Sequence, residues 1–215
     1  MSDGYTILAL DEIEAVPYHQ REGQKILTIQ RLLDFRAAGI NGWIGDAGEG
    51  LVPEHEEDSG SEELYVVVRG HARFTVDGND VDAPAGTLIH VLAGENRVAV
   101  SEEAGTIVVA IGGRIGEAHG PSGWTSFVVA DALRREGRMD EARAAIREPI
   151  EQFPDAWHAP YNAACFEAIA GEPDNAFAYL QQALRIDAQA VKGYAPQDPD
   201  LDSLHDDARW KKLVG

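Results

Sequence analysis

Phe127-Val128-Val129-Ala130 and Tyr161-Asn162-Ala163-Ala164 stand 34 residues apart, and the correspondence runs on through both segments. Gly137 recurs as Gly171, Asp140 as Asp174, Ala142 as Ala176 and Ile146 as Leu180. A period of this length marks stacked helical hairpins, because each unit carries an apolar face that only a neighbour can bury. Apolar residues recur at helical spacing over 124–136 and 139–152, and again over 157–170 and 174–186. Gly137 and Gly171 break each pair where a helix must stop.

Upstream the pattern changes. The runs Ile26–Leu33, Asn41–Asp46, Leu64–Arg69, Ala72–Val76, Thr87–Leu92, Arg97–Ser101 and Thr106–Ile111 read as short strands. Gly and Asx turns separate them, at Asp77-Gly78-Asn79-Asp80, Ala93-Gly94-Glu95-Asn96 and Glu103-Ala104-Gly105. Many short strands with regular turn signals predict an antiparallel sandwich or barrel. Pro84 cannot donate to a central ladder, so it is expected at a corner. The chain therefore reads as a multidomain α+β fusion.

Composition narrows the function classes. The 215 residues carry a formal charge of −19, divided as −13 over residues 1–120 and −6 over 121–215. Neither half offers a basic footprint, which argues against nucleic acid and anionic membrane surfaces as partners. No apolar run of 18 residues and no leader-like apolar core appear, and the single Cys165 has no partner for an intrachain disulfide, so a cytoplasmic protein is expected. Cys165 is expected to be a small core residue. A Walker loop, a dinucleotide fingerprint, a nucleophile elbow and paired Cys-x2-Cys ligands are all missing.

The strand-rich half resembles the cupin family, a small jelly-roll barrel also described as a double-stranded β-helix. Of its first motif, Gly-x5-His-x-His-x3–4-Glu-x6-Gly, the second half is present as Glu63, Leu64 to Arg69, and Gly70. Its second, Gly-x5-Pro-x-Gly-x2-His-x3-Asn, is matched in frame by Gly86, Leu92-Ala93-Gly94 and Arg97. The resemblance covers residues 25–113 and implies the fold; the turn glycines fit while the ligands do not. Metal-binding cupins use three His and one Glu, but Arg97 stands where the second motif needs its His, and a guanidinium cannot ligate a cation. No resident metal or other cofactor is therefore expected. The alternative is a divalent transition metal on His55, Glu57 and Glu63, set against a solvated acidic loop at residues 54–58.

Six residues are pocket candidates. Arg97 either points inward to form a salt bridge with Glu63 where other members hold a metal, or outward beside Asn96. His55, Glu57 and Glu63 form the possible ligand set. Alternation puts Leu88, His90 and Leu92 on one strand face and Ile89 and Val91 on the other, with either face inward. Trp43 lines a barrel mouth or packs in the core. His71, after Gly70, is given no task.

The helical half resembles the tetratricopeptide repeat (TPR) family in its period, its turn glycines and its small-residue positions, with Ala188 where the family places a Pro after the second hairpin. Two repeats need covering. Leu201, Leu204, Trp210 and Leu213 supply a cap at one end and the barrel can cover the other. The expected organisation is an extension over 1–24, a cupin barrel over 25–113, a Gly-rich linker over 114–122, two TPR-like repeats over 123–190 and a capping segment over 191–215. The function this implies is a non-catalytic module that binds a small polar ligand in the barrel, a protein or peptide through the repeats, or both. A homodimer through barrel edges is also expected. The alternative is a metal-dependent dioxygenase or isomerase of the cupin kind using His55, Glu57 and Glu63.

Overall fold

The computed structural model describes residues 6–18, 24–33, 35, 37–57, 60–114, 116 and 123–214. Its contacts divide the chain into two compact units, residues 1–119 and 120–215. Most of the expected linker, residues 117–122, lies outside the described residues.

Among the described residues of the first unit, nine strands form two antiparallel sheets. The larger runs β1 (Val16–Pro17), β2 (Lys25–Leu27), β3 (Gly39–Gly45), β9 (Thr106–Arg114), β4 (Ser61–Arg69) and β7 (Leu88–Val91); the smaller runs β6 (Asn79–Pro84), β5 (His71–Val76) and β8 (Arg97–Ser101). The expected double-sheet layout is present, but hydrogen bonding does not pass continuously from one sheet to the other, so no closed barrel forms among the described residues. An irregular segment lies along the free side of β8, with Leu51 N–H donating to Ala99 O (2.8 Å) and Ala99 N–H to Val52 O (3.1 Å).

Two local readings change. The expected strand Ile26–Leu33 stops at Leu27, and Ile29–Leu33 turns into a short helix, α1. Its Ile29 is buried with Leu27, Ile107 and Val109 against the outer face of the large sheet, so tertiary burial outweighs β propensity here. Ile13 is buried in the same cluster, and Leu8, Leu10 and Ala15 pack on it, so residues expected to form an extension belong to this unit's core.

The corner between β4 and β5 explains the spacing from Glu63 to Gly70. Gly70 has φ of +76°, and a Cβ there would stand 2.4 Å from Thr106 Oγ1, so only glycine turns the chain from one sheet into the other. Pro84 sits at the end of β6, an edge strand, where its missing donor costs no ladder bond.

In the second unit the expected helices appear as α2 (Trp124–Arg135), α3 (Met139–Gln152), α4 (His158–Ile169) and α5 (Pro173–Ile186). Ala130, Ala142, Ala164 and Ala176 are fully buried, which lets paired helices approach closely, and Phe127, Ile146, Phe166, Phe177 and Leu180 fill the space beyond. Gly137 and Gly171, with φ near +78°, stand just past α2 and α4 and end them in the same way. Asp187 accepts a hydrogen bond from Ala190 N–H (2.9 Å) and starts α6 (Ala188–Tyr194) where the repeat pattern has Pro.

The chain end carries several buried apolar side chains. Leu201, Leu204 and Trp210 are buried, while Leu213 is half-buried and Val214 takes the inner position. Asp198 Oδ2 accepts from Tyr161 OH (2.8 Å) and from the Cys165 thiol (3.5 Å), which ties the segment before α7 (Ala208–Leu213) to α4. Cys165 is buried, as expected, and burial pushes its thiol well up, leaving it a poor nucleophile.

Candidate functional site

Strand register places the candidate site between the two sheets. Glu63 faces Gly112, Tyr65 faces Ala110 and Val67 faces Val108 across β4 and β9, so Glu63, Tyr65 and Val67 share one face of β4. Tyr65 meets Phe74 of the smaller sheet with ring centroids 5.3 Å apart, which identifies that face as the inner one. Arg97 begins β8 opposite Val76. His55 exchanges backbone hydrogen bonds with Arg97, N–H to O at 3.1 Å and 2.9 Å, so the irregular segment delivers its imidazole beside the guanidinium.

Of the two orientations open to Arg97, the inward one is observed. It is fully buried, the largest side chain among the described residues to be so. Its Nη2 lies 2.6 Å and its Nε 3.0 Å from Glu63 Oε2; Nε also approaches Tyr65 Oη at 3.2 Å, and Nη1 donates to Glu95 O at 2.9 Å. Tyr65 OH donates to the same Glu63 Oε2 at 2.5 Å. A buried guanidinium is costly to desolvate unless its donors are used, and here they are.

His55 completes the group. Its Nδ1 is 2.7 Å from Pro53 O, which fixes that nitrogen as the donor, while Nε2 lies 3.5 Å from Glu63 Oε2 and 3.8 Å from Glu57 Oε1. Burial works against a charged His55, yet the hydrogen bond and charge of Glu63 raise its pKa above the ordinary value. Burial likewise opposes a charged Glu63, but His55, Tyr65 and Arg97 together bring its pKa below the usual carboxylate value. Burial beside Glu63 pushes the Tyr65 phenol up, so it stays a donor.

These positions test whether the set suits a metal ion. One donor atom from each of His55, Glu57 and Glu63 lies within 4.8 Å of the others. A cation held by His55 Nε2, however, would meet at Glu63 Oε2 an oxygen that already accepts from Arg97 and Tyr65, and would stand beside a fixed positive charge. The set does not fit a resident transition metal while Arg97 holds that oxygen.

The remaining candidates do not join the group. Ile89 and Val91 oppose Tyr65 and Glu63, so they take the inner face of β7 and His90 points outward. There His90 Nε2 meets Glu62 Oε2 at 2.7 Å on the wall of an open groove of about 460 Å³ that includes Leu64, Ile111 and Arg114. Trp43 is buried in β3 with its ring edge-on to Tyr18, which makes it a packing residue. Tyr65 is the member that motif spacing misses. The available signal is its place two residues after Glu63 on one strand, which puts both on the same face.

No family model matches this sequence, and no curated protein matches it. Solved structures similar to part of the chain include KdgF from Halomonas sp., 12% identical, covering 50% of this chain and 92% of that one at a TM-score of 0.40. A predicted oxalate decarboxylase from Thermotoga maritima is 17% identical, with coverages of 51% and 100% and a TM-score of 0.42. A sugar phosphate isomerase from a cupin superfamily, from Silicibacter pomeroyi, is 16% identical, with coverages of 51% and 76% and a TM-score of 0.43. These are likenesses of half the chain at low identity and low overlap, and the functional reading rests on the chain's own geometry. No described helix is long and apolar enough to cross a membrane.

Proposed function

We propose that the first unit is a cupin-type, non-catalytic ligand-binding module in which an internal ion pair replaces the metal, and that the helical unit is a TPR-like surface for a protein or peptide partner. The observation that carries this reading is the fully buried Arg97 directed at Glu63 Oε2 from 2.6 Å. The pair supplies shape and a polar wall without a Lewis acid, which suits holding a small polar ligand better than turning one over. The repeat reading is supported by the matched glycines and buried alanines of α2 to α5. The homodimer reading keeps its support in β7, an edge strand whose Leu88 is 63% exposed.

The experiment is a metal titration of untagged protein together with its Arg97→His and Glu63→Gln variants. Wild-type protein is expected to show no transition-metal binding that depends on Glu63, whereas Arg97→His gains binding that a second change, Glu63→Gln, removes. Tight binding by the wild type that Glu63→Gln abolishes overturns the proposal. It would support the second reading, a metal-dependent enzyme, which has one observation in its favour: the Pro53 contact leaves His55 Nε2 facing two carboxylates.

A further inference from the structure

The outer face of the smaller sheet carries a second group of the same residue types, arranged differently. Alternation along β5 sends His71 and Arg73 to one face, and Arg73 stands opposite Asp82 of β6. Glu102 follows β8 directly, and its N–H donates to His71 O at 2.8 Å, which fixes its position beside that histidine. The Gly70 corner and two contacts between Thr106 Oγ1 and the His71 backbone, each 3.2 Å, hold the start of β5 in place. Strands β5 and β6 and the residue that follows β8 therefore present one imidazole and two carboxylates from a rigid support.

His71 Nε2 lies 2.7 Å from Asp82 Oδ1 and 3.6 Å from Glu102 Oε2, and one donor atom from each of the three residues falls within 4.8 Å of the others. Donors at about 2.0–2.1 Å around a tetrahedral ion stand about 3.3 Å apart. The first separation must open by about 0.6 Å and the second close by about 0.3 Å, which partly exposed side chains accommodate. Arg73 matters here by what it leaves alone. Its guanidinium grips Glu102 Oε1, with Nε at 2.7 Å, so Oε2 stays turned toward His71. An outer partner on the far oxygen is how a ligating carboxylate is oriented, in contrast to Arg97, which takes the Glu63 oxygen itself.

We infer that His71, Asp82 and Glu102 form a solvent-facing binding site for a divalent transition cation of the zinc or manganese class, with Arg73 as a positioning residue. One imidazole and two carboxylates match that class, the remaining coordination positions face water, and the protein's formal charge of −19 raises the local cation concentration. An ion bound there links β5, β6 and the end of β8, and by mass action it stabilises the unit that holds them.

The test is zinc titration of full-length, chelator-treated protein without an affinity tag, read by calorimetry and by thermal unfolding. About one equivalent is expected to bind and to raise Tm. His71→Gln and Asp82→Asn, both on an exposed face, are each expected to weaken binding by at least about tenfold, the loss that removing even an outer partner of a ligand produces. His90→Ala, outside both groups, is expected to leave this binding unchanged. Zinc binding that survives both His71→Gln and Asp82→Asn, or that fails to raise Tm, overturns the assignment. Zinc binding lost in His55→Gln but kept in His71→Gln places the ion in the interior instead.

Discussion

Arg97 with Glu63 and His55, between the sheets, and Arg73 with Glu102 and His71, on the outer face, use the same three residue types to opposite ends. Inside, the guanidinium and a phenol converge on one carboxylate oxygen, and the acceptor is used up. Outside, the guanidinium takes the far oxygen and leaves the near one facing a histidine. Burial decides the energetics of each: the inner arginine is fully buried, whereas the Arg73 side chain is 46% exposed and its pairing is screened by water. Residue identity alone does not separate an ion pair that closes a site from one that orients a ligand; which oxygen is taken does.

The widest test of this contrast is removal of each arginine. Arg97→Met is expected to destabilise the first unit by about 3–5 kcal/mol, because it strands a mostly buried Glu63 carboxylate without its cation. Arg73→Met is expected to leave stability close to that of the unchanged protein, as for other solvent-screened exposed pairs. Urea unfolding measures both, and equal costs would remove the distinction between inside and outside.

A pH series sharpens the same comparison. Because the folded-state pKa of Glu63 is lowered, its contribution is present above the ordinary carboxylate value and is lost as pH falls through the folded one. Because that of His55 is raised, its contribution is complete below the ordinary value of 6.5 and disappears as pH rises through the raised one. Stability is therefore expected to peak between these two limits and to decline on the alkaline side. Glu63→Gln should flatten both limbs, since Glu63 supplies the larger hydrogen bond and the charge that raise the His55 value, and only the Pro53 hydrogen bond remains to raise it. An unchanged alkaline limb in Glu63→Gln would show that His55 does not titrate against it.

Smaller effects are expected away from the inner pair. Tyr161→Phe removes the hydroxyl that donates to Asp198 at 2.8 Å and should cost about 1 kcal/mol, visible as faster amide exchange in the segment around Asp198 and Leu201. Cys165 should react with a thiol reagent only on unfolding, given its burial and raised pKa. His90→Ala, on the outer face of β7, should change stability by no more than about 0.5 kcal/mol.

The resemblance read from two half-motifs anticipated the strands, and the anticipation is uneven for a physical reason. Turn chemistry is local, so Asp77-Gly78 and Gly70 marked their corners correctly. The run Ile26–Leu33 misled because β-branched residues suit a strand or a buried helical turn equally, and its partner, the outer face around Ile107 and Val109, is some 80 residues away. Closure of the barrel likewise depends on pairing between distant strands, and the strands divide into two sheets instead. In the candidate site, Glu63 and Arg97 were legible from motif frame, but Tyr65 was not, because no motif position asks for it.

By itself the sequence determined the two kinds of architecture, the 34-residue period with its glycines, and the permanently charged guanidinium at position 97. These follow from local rules: helical and strand periodicity, the φ that glycine permits, and a side chain's fixed protonation. Only the tertiary structure decided that Arg97 turns inward, that His90 turns outward, and that Glu63 offers one oxygen to three partners while Glu102 divides its two. Each of those outcomes is set by which face of a strand meets the other sheet. That choice is made by the summed burial of the whole sheet, because a shift of one residue would exchange every inner side chain for an outer one.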